Sequence, residues 1–170
     1  MYILEAREHA EARGAKILAR LLGGSQLFEA GVAGESRRGT AIAGTITAAL
    51  AQANIQPRDV GFVSASASGS VEGDAVEAQA IERTMGQVKV TAFKSYFGDL
   101  GAGSGSVELV ASILALHNGL VPPTRNYSQP DKACPVNVVK DKPLPLEKSV
   151  LVALNQSTTG QAAAVVLATP

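Results

Sequence analysis

The chain has 170 residues, with 15 basic and 15 acidic side chains, so its formal net charge is zero. This neutrality gives no electrostatic support for nucleic acid or an anionic membrane as a partner, and no apolar run has the length that spans a bilayer. The single cysteine, Cys134, excludes an intrachain disulfide and fits a reducing compartment. Together with an acidic start unlike a signal peptide, these features predict a cytoplasmic protein.

The first part of the chain predicts short elements separated by glycine. Residues 2–5 (YILE) predict a strand, and the helical stretch 6–13 ends at Gly14, a natural C-cap. Residues 15–23 are predicted as a second strand, although their Ala, Leu and Arg content is equally typical of a helix. Residues 24–37 carry Gly and Ser without periodicity, which predicts a loop.

Helix and strand alternate through the rest of the chain. Residues 102–118 are apolar on nearly every face, which predicts a central, enclosed helix, and a Pro-rich connection follows at 119–145. The predicted elements are helices 38–55, 71–86 and 102–118 and strands 60–65, 88–93, 149–155 and 162–169. This order predicts one α/β layered domain over residues 1–170, with a mixed sheet.

A glycine-rich loop, KSYFGDLGAGSGS (94–106), leads into the long apolar helix. A Walker loop needs its lysine after the glycines so that the lysine reaches the terminal phosphates, whereas Lys94 precedes them. A dinucleotide fingerprint needs a third glycine where this loop has Ser106. The loop therefore fits neither phosphate site, and the sequence predicts neither a cofactor nor a metal.

Four stretches of the sequence together match one enzyme family. Residues 94–108, KSYFGDLGAGSGSVE, resemble its pattern K-S-x-x-G-H-x-x-G-A-x-G-x-x-E. Residues 55–86 resemble its strand, H-G-T-S-T turn and G-D-x-x-E helix. Residues 4–23 and 115–131 resemble its E-H-A-x-x-R-G-A and P-P-T-x-N-x-x-x-P-D runs. The chain is identified as a member of the β-ketoacyl synthases, the condensing enzymes of fatty acid and polyketide synthesis.

The resemblance covers essentially the whole chain and implies the C-terminal half of a thiolase-type fold. This half is expected to be a three-layer α/β/α unit with a mixed five-stranded sheet. Met1 falls where the family has mid-strand sequence, which fits either a cut or a natural start. The implied partner is the N-terminal half of the same fold or a second copy of this chain, with an acyl carrier protein as a further candidate. Without a partner the helix 102–118 would have a bare apolar face, so the isolated chain is expected to self-associate.

The resemblance also implies three active-site positions. Two are histidines in the family, which assist decarboxylation and stabilise the enolate and thioester oxyanion; here they are Ser66 and Asp99. The third is a lysine, retained as Lys94. The family's nucleophilic cysteine lies in the other half, and Cys134, in a Pro-flanked connection, is not expected to replace it. A gating phenylalanine in a G-F-G-G loop is lost in TTGQ (158–161).

The other ionisable residues of the motifs have structural interpretations. Lys94 and Asp99, five positions apart beside a tight turn, are expected to form an ion pair in place of the family's hydrogen-bond network. Glu77 and Asp74 match the family's G-D-x-x-E and are expected to tie the loop to a neighbouring helix. The two histidines of the chain are expected to be structural, and they are His9 and His117.

Two functions from different classes fit these replacements. One is a degenerate ketosynthase-like subunit, similar to the chain-length factors, that shapes or scaffolds acyl-chain synthesis without forming the bond. The other is a divergent enzyme that uses Ser66, Lys94 and Asp99 for a changed acyl-transfer or decarboxylation reaction, with the nucleophilic cysteine on the N-terminal half. A cysteine at the family's nucleophile position would favour the enzyme, and a glutamine or alanine there would favour the scaffold.

Overall fold

The computed structural model describes residues 2–31 and 38–170. Its helices are α1 (Arg7–Ala12), α2 (Thr40–Ala53), α3 (Val71–Met85), α4 (Lys94–Phe97) and α5 (Ser104–His117), with 3₁₀ turns at Pro57–Asp59 and Gly101–Gly103. Its strands are β1 (Arg20–Phe28), β2 (Phe62–Ser64), β3 (Lys89–Thr91), β4 (Leu120–Val121), β5 (Asn137–Val138), β6 (Leu144–Pro145), β7 (Val150–Gln156) and β8 (Gln161–Ala168). None of the described helices is both long and apolar enough to cross a bilayer.

A six-stranded mixed sheet in the order β1-β8-β7-β2-β3-β5 forms the middle of the fold. The strands β7, β2, β3 and β5 are parallel to one another, whereas β8 runs antiparallel to β7 and to β1. The predicted mixed sheet is confirmed, but it has six strands and not five. The additional strand is β5, whose two residues are too few to show an alternating pattern in the sequence.

Helices cover both faces of the sheet, which gives three layers. On one face, α2 and α3 pack through Ile46 and Ile81 onto a hydrophobic cluster that includes Val63. On the other face, Leu116 of α5 belongs to a second cluster that includes Phe62. Phe62 and Val63 are consecutive on β2, so their side chains point to opposite faces. This arrangement confirms the predicted α/β/α architecture.

The first long strand is displaced from its predicted position. The sequence predicts a strand at 15–23 and a loop at 24–37, whereas β1 runs from Arg20 to Phe28 and pairs with β8 along that length. Gly23 explains the error, because a Cβ there would lie 2.7 Å from the Ala49 carbonyl oxygen of α2. The glycine permits close packing of α2 and does not mark a loop. Residues 32–37 of the predicted loop lie outside the described residues.

The strand predicted at residues 2–5 is absent. Tyr2, Ile3 and Leu4 are exposed and belong to no ladder among the described strands. Glu5 instead accepts a hydrogen bond from Arg13 Nε, just after α1, at 3.1 Å. The composition of this segment favours a strand, but a strand forms only where a neighbouring backbone supplies hydrogen-bond partners.

The helix α5 is not enclosed within this chain, as the sequence predicts for the helix without a partner. Val107, Val110 and Leu114 point outward and are 39%, 39% and 54% exposed. The buried positions of the helix are mostly small or polar: Ser104, Glu108, Ser112, Ala115 and Leu116. The outward side of an ordinary surface helix is polar, whereas here it is apolar. We call the outward side, formed by Val107, Val110 and Leu114, the bare face of α5.

Candidate functional site

A cleft of about 620 Å³ opens beyond the carboxyl ends of β2, β3 and β7. The chain leaves β2 at Ser64 and reaches Ser66, and it leaves β3 at Thr91 and enters α4 at Lys94. The carboxyl ends of parallel strands are the usual ligand-binding edge of an open α/β sheet. Ser66, Lys94 and Asp99, the three residues selected from the sequence, all line this cleft.

Lys94 forms a buried ion pair with Glu108 of α5, and their side chains are only 7% and 2% exposed. Lys94 Nζ also donates to the Ser66 carbonyl oxygen at 2.7 Å. The predicted ion pair between Lys94 and Asp99 is wrong, because α4 turns Lys94 into the interior while Asp99 is exposed on the following loop. A buried ammonium group needs a partner, and Glu108 provides it.

Glu108 was not selected from the sequence as a site residue, although a signal for it existed. It is the last residue of the quoted K-S…E pattern, and a charged residue in the middle of an apolar helix is rarely buried without a partner. Its other carboxylate oxygen, Oε2, lies 3.5 Å from Asn155 Nδ2 of β7. The pair of Lys94 and Glu108 therefore joins α4 and α5 to the end of the sheet.

Asp99 is a hydrogen-bond acceptor at the mouth of the cleft. Its Oδ1 accepts a hydrogen bond from the Ser104 hydroxyl at 2.7 Å and another from the Gly101 N–H at 2.9 Å. These two bonds, and to a smaller extent the charge of Lys94, lower the pKa of the Asp99 carboxyl below its ordinary value. Asp99 is therefore ionised at neutral pH.

Ser66 lies buried at the floor of the cleft, where neighbouring groups hold it on several sides. Its N–H donates to Glu77 Oε1 at 2.8 Å. Its hydroxyl oxygen accepts a hydrogen bond from the Gln156 N–H at 3.3 Å and lies 3.4 Å from Lys94 Nζ. Both neighbours are donors, so the Ser66 oxygen acts mainly as an acceptor.

Two carboxylates of α3 tie down the loop that follows β2, as the sequence predicts. Glu77 Oε1 and Oε2 accept the N–H groups of Ser66 and Ala67, each at 2.8 Å. Asp74 Oδ2 accepts the N–H of Gly69 at 3.1 Å. Burial raises the pKa of Glu77 to about 7, although both N–H bonds favour the ionised form.

Hydroxyl and amide groups form the rim of the cleft at 157–161. Ser157 Oγ donates to Gln161 Oε1 at 2.6 Å, and Thr159 Oγ1 donates to the same oxygen at 2.6 Å. The two hydroxyl oxygens are 2.8 Å apart. A polar cluster therefore lies in the stretch 158–161, where the resemblance places the family's gating phenylalanine.

The chain's histidines and its cysteine do not line the cleft. His9 lies on α1, 3.9 Å from Glu5, and His117 ends α5. Burial and the nearby carboxylate of Asp131 raise the pKa of Cys134, which is the opposite of what a reactive thiolate needs. Across residues 2–31 and 38–170, no three His, Cys, Asp or Glu side chains are grouped so that they could hold a metal ion.

Comparison with known proteins identifies the family of this domain. The family model described as "Beta-ketoacyl synthase, C-terminal domain" matches residues 22–128. The chain belongs to this family. The matched range contains the three cleft residues Ser66, Lys94 and Asp99, and the strands β7 and β8 of the same sheet follow it.

Curated relatives of this β-ketoacyl synthase domain are longer than the chain. The 3-oxoacyl-[acyl-carrier-protein] synthase 2 of Vibrio harveyi is 36% identical over 143 residues, which are 81% of this chain and 34% of the relative. Nodulation protein E of Rhizobium leguminosarum bv. trifolii is 34% identical over 148 residues, which are 84% of this chain and 36% of the relative. The chain thus spans only about a third of the length of these relatives.

Solved ketosynthase structures share the fold. The ishigamide ketosynthase/chain length factor superposes with a TM-score of 0.90 and 28% identity over 98% of this chain and 41% of that one. A ketosynthase in complex with its type II polyketide acyl-carrier protein superposes with a TM-score of 0.90 and 29% identity over 98% of this chain and 42% of that one. These likenesses confirm the predicted thiolase-like α/β fold.

Proposed function

We propose that this β-ketoacyl synthase C-terminal domain belongs to a ketosynthase-like subunit that shapes or scaffolds acyl-chain synthesis without forming the carbon–carbon bond itself. The observation that carries the proposal is Asp99, an ionised acceptor at the position where the family has its second histidine. The Asp99 carboxylate accepts hydrogen bonds from Gly101 and Ser104. It therefore has no proton to donate to a reacting group.

The chemistry of condensation explains why this replacement matters. Decarboxylation of a malonyl thioester develops negative charge on the thioester oxygen, and a catalyst must place hydrogen-bond donors there. The Asp99 carboxylate would repel that charge. Ser66, at the first histidine position, can donate one hydrogen bond but cannot shuttle a proton near neutral pH.

The retained lysine does not compensate for the lost histidines. The ammonium group of Lys94 is directed to Glu108 and to the Ser66 carbonyl. A third contact, to the Ser66 hydroxyl, accounts for the last of its three donors. The positive charge is thus neutralised within the fold, which supports a structural role for Lys94 in this subunit.

The relatives suggest the partners of such a subunit. One solved relative is a ketosynthase/chain length factor, and another is a ketosynthase in complex with an acyl-carrier protein. By analogy, we propose that the subunit works beside an active ketosynthase and an acyl carrier protein. The N-terminal half of the same fold would complete the subunit itself.

An assay of decarboxylation and condensation tests the scaffold proposal. The purified protein, incubated alone with a malonyl carrier-protein thioester, is expected to release carbon dioxide at the background rate. In the presence of an active ketosynthase partner, Ser66→Ala and Asp99→Asn are expected to change product formation by less than about threefold. A general acid or base contributes about 10²–10⁴-fold, so a loss of about a hundredfold in either variant would refute the scaffold.

A divergent enzyme is the second candidate, favoured by the contact between Ser66 Oγ and Lys94 Nζ at 3.4 Å. In this version Ser66, Lys94 and Asp99 would serve a changed acyl-transfer or decarboxylation reaction, with the nucleophilic cysteine on the N-terminal half. Ser66→Ala would then abolish thioester turnover, whereas Ser128→Ala, an exposed serine outside the cleft, would not. A glutamine or alanine at the family's nucleophile position would count against this candidate.

A further inference from the structure

The loop that follows β2 is hydrogen-bonded to a buried carboxylate, Glu77 of α3. Both oxygens of Glu77 accept backbone N–H groups, one from Ser66 and one from Ala67, at 2.8 Å each. Glu77 is only 2% exposed, so water cannot replace it as the acceptor. The attachment of residues 66–70 to α3 therefore depends on a carboxylate with two acceptor oxygens.

The same loop contains a strained residue. Ala67 has a φ of +35°, in the left-handed region that side chains with a Cβ avoid. The family pattern has glycine at this position, between the histidine and the first threonine of H-G-T-S-T. Alanine in place of glycine makes this backbone conformation costly, and the bond from the Ala67 N–H to Glu77 holds the residue in it.

We propose that Glu77 is a proton-operated latch on the loop 66–70, and that protonation of its carboxyl group releases the loop and reshapes the floor of the cleft. A protonated carboxyl group carries an O–H donor on one oxygen. One of the two N–H groups then loses its acceptor, and Ala67 relaxes from its strained conformation. The proposal does not rest on whether the cleft catalyses a reaction.

The surroundings of Glu77 allow this change near neutral pH. Burial, and to a smaller extent the nearby carboxyl group of Asp74 on the same helix, raise its pKa to about 7. The charge of Lys94 on α4 opposes this effect, but Lys94 is itself paired with Glu108 of α5. The neighbouring helix α2 has no ionisable side chain. Small changes of pH around neutrality therefore change the protonation of Glu77.

The consequence of release is local to the cleft. Ser66 is bonded through its N–H to Glu77, through its carbonyl to Lys94 and through its hydroxyl to the Gln156 N–H. Loss of the first bond frees the loop on one side while the other two remain. The latch would thus couple pH to the position of the Ser66 hydroxyl in the cleft.

Hydrogen–deuterium exchange of the purified protein tests the latch. The readout is the protection of a peptide covering residues 65–70, corrected for the intrinsic pH dependence of amide exchange. Between about pH 8 and about pH 6 the protonated fraction of a group with a pKa of about 7 rises roughly tenfold. Protection of the Ser66 and Ala67 amides is expected to fall by about tenfold over this range, with its midpoint near the pKa of Glu77.

Three variants make the test specific. Glu77→Gln has one acceptor oxygen, so its loop is expected to show low protection and no pH transition, while Glu82→Gln, on the same helix but not bonded to the loop, is expected to keep the transition. Ala67→Gly removes the backbone strain and is expected to reduce the loss of protection between about pH 8 and about pH 6 to less than about threefold. If Glu77→Gln does not fold, the result for Ala67→Gly tests the latch in its place. Protection that is independent of pH in the unmodified protein, or a full transition in Glu77→Gln or Ala67→Gly, overturns the proposal.

Discussion

Lys94 and Glu108 are two charges that have almost no access to water. Removal of one leaves the other without a partner in a medium of low dielectric constant, and this costs more than the pair itself contributes. Lys94→Ala is therefore expected to lower the free energy of unfolding by about 3–5 kcal/mol. Urea denaturation of the purified protein measures this change.

Two further variants separate the buried charge from other effects of substitution. The double variant Lys94→Met with Glu108→Leu removes both charges and keeps the volume, so it is expected to recover most of the lost stability. Lys89→Met is the matched control, because its partner Glu147 is 70% exposed and such surface pairs contribute at most about 1 kcal/mol. Equal losses in the double variant and in Lys94→Ala would contradict this account.

Sequence motifs select residues that meet in one cleft but do not give their contacts. Ser66 was selected from one motif and Lys94 and Asp99 from another, and all three line one cleft. The partner of Lys94 was predicted wrongly because closeness along the chain favoured Asp99 over Glu108. Which carboxylate pairs with Lys94 depends on the direction in which α4 points its side chains and on how α5 packs against the sheet. Neither is determined by the residues within five positions of Lys94.

At the scale of elements, the contact between β1 and α2 depends on a glycine. A Cβ on Gly23 would lie 2.7 Å from the carbonyl oxygen of Ala49 and 2.8 Å from the N of Ala53, and both are backbone atoms of α2. Neither atom can move without displacing the helix. Gly23→Ala is therefore expected to lower the free energy of unfolding by about 1–3 kcal/mol, measured by chemical or thermal denaturation.

The adjacent glycine supplies a close control for this prediction. A Cβ on Gly24 would lie 3.5 Å from its nearest neighbours, which is ordinary van der Waals contact. Gly24→Ala is expected to change stability by no more than about 0.5 kcal/mol. If both variants lost the same stability, the cause would be a general property of the strand, and the steric argument for Gly23 would fail.

Elements with partners inside the chain were predicted better than elements without them. The helix predicted at 71–86 agrees with α3 to within one residue at its end, because its amphipathic pattern matches the sheet face that it covers. The segment 2–5 was predicted wrongly in structure, and the helix α5 is enclosed on one side only, as expected without a partner. The outward apolar residues of both segments are not covered by any described element. A sequence pattern does not show whether the covering partner belongs to the same chain.

At the scale of the whole molecule, the exposed apolar side chains of α5 indicate an interface. Leu114 of the bare face and Leu120, which is 41% exposed, line one shallow apolar pocket. The chain spans 41% and 42% of two solved ketosynthases that superpose on nearly all of it. We propose that the rest of such a protein, or a second copy of this chain, covers the bare face.

The isolated chain is therefore expected to self-associate and to bind a dye specific for apolar surfaces, because the bare face of α5 has no cover of its own. Leu114→Glu puts a charge at the most exposed position of that face, 54% exposed, and is expected to weaken association by about tenfold or more. Leu18→Glu is the control, since Leu18 is similarly exposed at 50% but lies on the segment before β1. Sedimentation equilibrium measures the association of each variant. A monomeric chain without dye binding would contradict the interface, and equal weakening by both variants would place the contact elsewhere on the surface.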